Sequence, residues 1–165
     1  MRKILLLLKL SLFSSVVFAG IPSEYNAIQV KSPSSFTERV FDLTKAIDKA
    51  KSENKNLFIY LGAEDCPPCK EYEFFLRKNH AQLREDFSKL IIVDIKTWLR
   101  GPKMFIKIND EKIFINDFKE RIGDKTKSLL FPSYWIIDNE LKMIRQLPQG
   151  NTEFLDVERH RRLIR

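Results

Sequence analysis

Two cysteines occur in the 165 residues, and they lie three positions apart in Cys66-Pro67-Pro68-Cys69. A thiolate attacks disulfides and also binds soft metals, so the pair has two chemistries open to it, dithiol–disulfide exchange and metal capture. As a staple the pair would achieve little, because a bridge across two residues closes too small a loop to remove much chain entropy. Zinc wants about four ligands, and beyond the cysteines the histidines are the distant His80 and His160. Covalent haem attachment requires His directly after the second cysteine, and Lys70 stands there. Copper(I) capture suits two thiolates and stays open. Redox exchange makes the fullest use of the spacing.

That chemistry needs a strand and a helix to hold it. "NLFIYLGA" (Asn56 to Ala63) is a continuous apolar run, short and aromatic-rich, as a central strand should be. Beyond the cysteines, Tyr72, Phe75 and Leu76 share one helical face, so Cys66 falls at a helix N-terminus. There the unpaired N–H groups and the positive dipole end favour a thiolate. Cys69 sits one turn inside, with its N–H placed to donate to the Cys66 sulfur. Pro67 and Pro68 stiffen the turn and subtract two donors, and Pro68 disfavours helical geometry at Pro67, so the helix is expected to begin at Pro68.

"KLIIVDI" (Lys89 to Ile95) is a second buried strand, and the strand–helix–strand order implies parallel pairing. Ser35-Phe36-Thr37-Glu38 fits a capping box, and apolar residues at helical spacing from Val40 to Ala50 predict a helix from Thr37 to about Ser52. A short strand is expected at Ala27 to Val30. "KMFIKINDEKIFIN" (Lys103 to Asn116) alternates on both sides of Asn109-Asp110, predicting a hairpin. A short helix should end near Gly123, a second hairpin should turn at Asn139-Glu140, and a last helix should run from Thr152 to Ile164. No internal repeat or low-complexity segment is visible.

Met1 to Ala19 is expected to be a signal peptide: a basic start, an apolar stretch from Ile4 to Phe18, and Val17-Phe18-Ala19 at the cleavage position. Lys9 interrupts the stretch, which suits a membrane span poorly. No cysteine sits at the cleavage site, which argues against a lipid anchor. Cleavage removes Arg2, Lys3 and Lys9 and no acid, taking the formal charge from +7 to +4. The basic remainder clusters in "ERHRRLIR" (Glu158 to Arg165), read as the solvated face of a terminal helix, with an anionic lipid or acidic partner as the alternative. Its basic residues lack interleaved aromatics, so nucleic acid is not an expected partner. An oxidising compartment also favours a disulfide between Cys66 and Cys69.

A strand ending in Cys-x-x-Cys at a helix start, followed by Phe131-Pro132-Ser133 entering a strand hairpin and a final helix, resembles the thioredoxin-like superfamily. The resemblance covers about Phe36 to Leu163 and is closest to periplasmic thiol-disulfide oxidoreductases. It implies an α/β thioredoxin-like fold with a central mixed sheet flanked by helices. The expected organisation is a leader at 20–35 and a domain at 36–165, with a hairpin insertion within about 97–125 before a cis-proline. Cys66 would attack, Cys69 resolve, and Pro132 face them. Phe131, Pro67, Pro68 and Trp98 would contact substrate, with Phe131 pairing its backbone to an extended chain.

No cofactor is implied beyond the Cys66–Cys69 disulfide, and no metal. The implied partners are protein disulfides and a membrane or soluble electron donor, with the chain acting as a monomer in redox homeostasis of the periplasm. A disulfide oxidase or isomerase, a copper(I)-handling protein and a non-catalytic binding module on the same scaffold are the alternatives. The family's buried Asp, which accepts the resolving thiol's proton, corresponds here to Tyr60, leaving Glu64, Asp65, Glu71 or water for that role. Lys70, His80 and His160 read as surface residues. The Lys103 to Asn116 hairpin is expected to select partners and to be dispensable for the chemistry.

Overall fold

In the computed structural model, β3 (Asn56–Ala63) sends Leu57, Ile59 and Leu61 to one face and Phe58 and Tyr60 to the other, as the two-residue strand period requires. All five are fully buried. β3 is therefore the centre of a sheet covered on both sides, which explains why its sequence shows no polar alternation. The described residues are 20–33, 37–150, 152 and 155–165; the expected signal segment and Ser35-Phe36 of the capping box lie outside them.

The central sheet adds β1 (Ile28–Lys31), β4 (Leu90–Thr97), β7 (Ser133–Ile137) and β8 (Met143–Gln146) in the order β1-β4-β3-β7-β8. β1 and β3 run parallel to β4, and β7 runs antiparallel to both β3 and β8. Helices α1 (Thr44–Glu53) and α4 (Ile115–Ile122) pack on the Leu57 face, while α2 (Pro67–Lys78), α3 (His80–Ser88) and α5 (Val157–Ile164) pack on the Tyr60 face. This is the thioredoxin-like arrangement expected, and the hairpin ahead of Pro132 is present as β5 (Lys103–Ile108) and β6 (Glu111–Phe114).

Several expectations change. Residues 38–42 form a strand, β2 (Glu38–Asp42), and the helix begins only at Thr44. β2 pairs in parallel with β5, making a second sheet in the order β2-β5-β6, and this partner outweighs the local helical spacing. The hairpin is consequently not an appendage: Met104, Ile106, Ile108 and Ile113 join the same buried cluster as Leu57, Ile59 and Leu61. Nor is the leader separate from the domain. β1 completes the central sheet, and Ile21 and Tyr25 are buried in the Tyr60-side cluster. α2 begins at Pro67, whose missing N–H costs nothing at a first helical position.

The last difference concerns α5, which starts at Val157 with Asp156 as its N-cap accepting from Arg159 N–H at 2.9 Å. Arg161 and Arg165 are not simply a solvated face, because each lies 2.8 Å from the buried Asp86 carboxylate. His160 is fully buried rather than on the surface, its Nε2 3.0 Å from the Tyr72 hydroxyl. Burial pushes its imidazole down to about 3. Between about pH 6.5 and pH 3 the unfolded chain therefore takes up a proton that the folded chain refuses, and stability falls with acidification by about 1.4 kcal/mol per pH unit. His160→Phe removes this proton uptake. Urea unfolding from pH 7 to pH 4 should show the variant losing less stability than the parent at each step, and parallel profiles would contradict the assignment.

Candidate redox site

The end of β3 delivers the chain to Cys66, which caps α2 from an extended conformation (φ −111°, ψ 107°). An α-helix begins with N–H groups that lack intrahelical partners. Here the first two positions are Pro67 and Pro68, which carry none, and the third N–H, that of Cys69, donates to Cys66 Sγ at 3.2 Å. The proline pair thus leaves one donor, aimed at one sulfur. Cys66 and Cys69 are joined as a disulfide with their Cα atoms 5.2 Å apart, and Ala63 N–H donates to Cys69 Sγ at 3.4 Å.

An attacking role for Cys66 calls for an accessible sulfur in the reduced form. In this oxidised form Cys66 and Cys69 are 1% and 0% exposed, because the Cys66 sulfur turns inward to its partner and to the Cys69 N–H. Pro67 is exposed and Pro68 partly so. The Phe131–Pro132 peptide is cis. Ser133 pairs with Leu61, so Pro132 lies just beyond that pair, at the end of β3 that leads into Cys66. Phe131 is half-buried against both core clusters. Trp98 is 54% exposed and lines a cleft of about 350 Å³ with Arg39, Glu64, Lys96 and Arg100.

The acids near the motif divide sharply. Glu64, Glu71 and Lys70 are exposed, and Asp65 serves the loop by accepting from Leu99 N–H at 2.8 Å. Two other carboxylates are buried around Tyr60, Glu73 at 7% and Asp94 at 0% exposure. Glu73 lies one turn beyond Cys69 on α2, and the Tyr60 hydroxyl donates to its Oε1 at 3.0 Å while standing 3.5 Å from the Cys69 carbonyl oxygen. Gly62 makes this possible, because a Cβ there would come within 2.5 Å of the Tyr60 hydroxyl. Asp94 is the cross-strand neighbour of both Tyr60 and Gln29.

Burial is the main cause that raises the Glu73 carboxyl, and it pushes the Asp94 carboxyl up to about 6 against the donors that face it. Burial also holds the Tyr60 phenol well above its ordinary value, so Tyr60 is a neutral donor in this chain. Neither Glu73 nor Asp94 was among the site residues expected from the sequence. One signal was available for Asp94, an acid in the middle of a buried apolar strand; Glu73 had only its four-residue spacing from Cys69. Among the described residues, no group of three His, Cys, Asp or Glu side chains is placed to hold a metal ion. Among the same residues, no helix is long and apolar enough to cross a membrane.

No family model matches the chain, and no curated protein sequence does. Solved structures do. A poplar thioredoxin h is 12% identical with a TM-score of 0.37, over 66% of this chain and 76% of that one. A thioredoxin-fold protein from Helicobacter pylori is 15% identical with a TM-score of 0.37, over 61% of this chain and 63% of that one. At such identities the likeness concerns fold alone.

Proposed function

We propose that the chain is an exported thiol-disulfide oxidoreductase that reduces protein disulfides in the periplasm, after cleavage behind Ala19. One observation carries this reading: a Cys-x-x-Cys disulfide at a helix N-terminus, with the Cys69 N–H donating to Cys66 Sγ. In the reduced form, the Cys66 thiolate attacks one sulfur of a substrate disulfide and expels the other as a thiolate, which takes a proton. The Cys69 thiolate then attacks Cys66 Sγ and releases the second substrate thiol. The cysteines end oxidised, the substrate has gained two electrons and two protons, and a donor dithiol restores the starting state.

Direction follows from how strongly the Cys66 thiolate is stabilised. Reduction potentials of this motif run from about −270 mV in thioredoxin to about −120 mV in a strong oxidant, whose reduced form is the favoured one. Here the helix end and a single N–H stabilise the thiolate, and neither intervening residue supplies a cation or a donor. The expected potential is therefore intermediate to reducing. Equilibration with glutathione, read by mass after alkylation, should give a midpoint well below about −120 mV. A midpoint at that oxidising end would make disulfide formation the function instead.

A further inference from the structure

Glu73 and Asp94 raise a problem of charge. Both are buried, and the ammonium beside them is Lys96 Nζ, 4.0 Å from Asp94 Oδ2. Arg77 on α2 acts on Glu73 only through space, without an ion-pair contact, so if both acids ionise Lys96 is left as the one contacting cation for two carboxylates in a largely water-free site, and that is costly. Asp94 Oδ2 accepts from Ile21 N–H and Gln29 Nε2, each at 2.9 Å, but its buried Oδ1 has no hydrogen-bond partner among the described residues. Gly20 N–H donates to Glu73. Gly20 is itself buried, and a Cβ on it would collide with the Lys96 side chain and approach Asp94 Oδ2 to 2.5 Å. The backbone nitrogen of residue 20 is thus held beside two buried carboxylates, one of them with an unpartnered oxygen.

We propose that Glu73 and Asp94 form a binding site for the chain's own α-ammonium group, created when cleavage after Ala19 makes Gly20 the first residue. The inference rests on that cleavage position and is independent of the redox reading. As an amide, the Gly20 nitrogen offers one N–H; as a free terminus it offers three, with a positive charge. The extra donors are available to the unpartnered Asp94 Oδ1, and the charge brings the two carboxylates and Lys96 to neutrality. Processing would then lock residues 20–27 onto the Tyr60 face of the sheet, ahead of β1. The other titratable groups facing the site are Arg77 on α2 and the phenols of Tyr60 on β3 and Tyr134 on β7, both of which burial holds well above their ordinary value.

The test compares the chain beginning at Gly20 with a free amine against the same chain Nα-acetylated. At pH 7 the free-amine form should melt higher by about 5 °C, and the gap should shrink toward pH 4 as the carboxylates take up protons. Equal melting at pH 7, or a gap of the same size at pH 4, would overturn the proposal. The amine itself gives a second readout in the unmodified protein. With 15N-labelled Gly20, its pKa should lie above the ordinary range of about 7.7–8.0. It should return toward that range when Glu73→Gln and Asp94→Asn are combined. A value at or below about 8 in the parent chain would refute the site whether or not the double variant folds.

Discussion

Cys66→Ser should abolish disulfide exchange, lowering insulin reduction by at least roughly a thousandfold, the order of loss when a covalent nucleophile is removed. Cys69→Ser should behave differently. Its residue-69 N–H remains to stabilise the Cys66 thiolate, so the first attack proceeds, but no second thiol frees the bound partner. Mixed disulfides should therefore accumulate on Cys69→Ser and be identifiable by mass spectrometry, whereas Cys66→Ser should trap few. The asymmetry comes from position: Cys66 caps the helix and receives its third N–H, while Cys69 sits inside the first turn below the Ala63 N–H. Equal trapping by the two variants would remove these roles, and insulin left unreduced by the parent would favour a binding module.

Replacing Lys103 to Asn116 with a short Gly-Ser link should leave no cooperatively folded protein. The segment contributes Met104, Ile106, Ile108, Ile113 and Ile115 to the main core and is the hydrogen-bonded partner of β2. Truncating one such side chain costs about 2–5 kcal/mol. Losing all of them together matches or exceeds the about 5–15 kcal/mol by which a domain is stable. Ile106→Ala is the graded version and should lower unfolding free energy in urea by about 2–5 kcal/mol. Lys112→Ala, which removes an exposed ion pair to Glu38 at 2.9 Å, should change it by less than about 1 kcal/mol. If the linker variant melts cooperatively and still reduces a small disulfide, the hairpin is dispensable after all and partner selection becomes its better assignment.

The sequence by itself determined the parts whose physics is local. Asn56 to Ala63 is too apolar and too short to be anything but a buried strand, and β3 spans those residues. The Cys66–Cys69 spacing, two prolines and a helical apolar face placed the cysteines at the start of α2 before any contact was known. The hairpin at Asn109-Asp110 was legible from alternation, and Asn109 adopts the left-handed conformation that such a turn favours (φ 54°).

Only the tertiary structure decided what depends on chain arriving from elsewhere. Residues 38–42 carry helical spacing, yet β5 offers them a ladder, and the long stretch of chain between Glu38 and its partner Lys103 hides that ladder from any local window. His160 sits among arginines in sequence, but α5 turns it inward to Tyr72 and brings Arg161 to the buried carboxylate of Asp86. Glu71 and Glu73 are near-identical in local context. The helix period leaves the first at the surface and carries the second inward, where Tyr60 and the Gly20 backbone meet it. Apolar periodicity says which face of an element is buried. Whether a charged group on that face is tolerated depends on the donors and counter-charges that the folded chain brings to it, and those lie beyond the reach of local sequence.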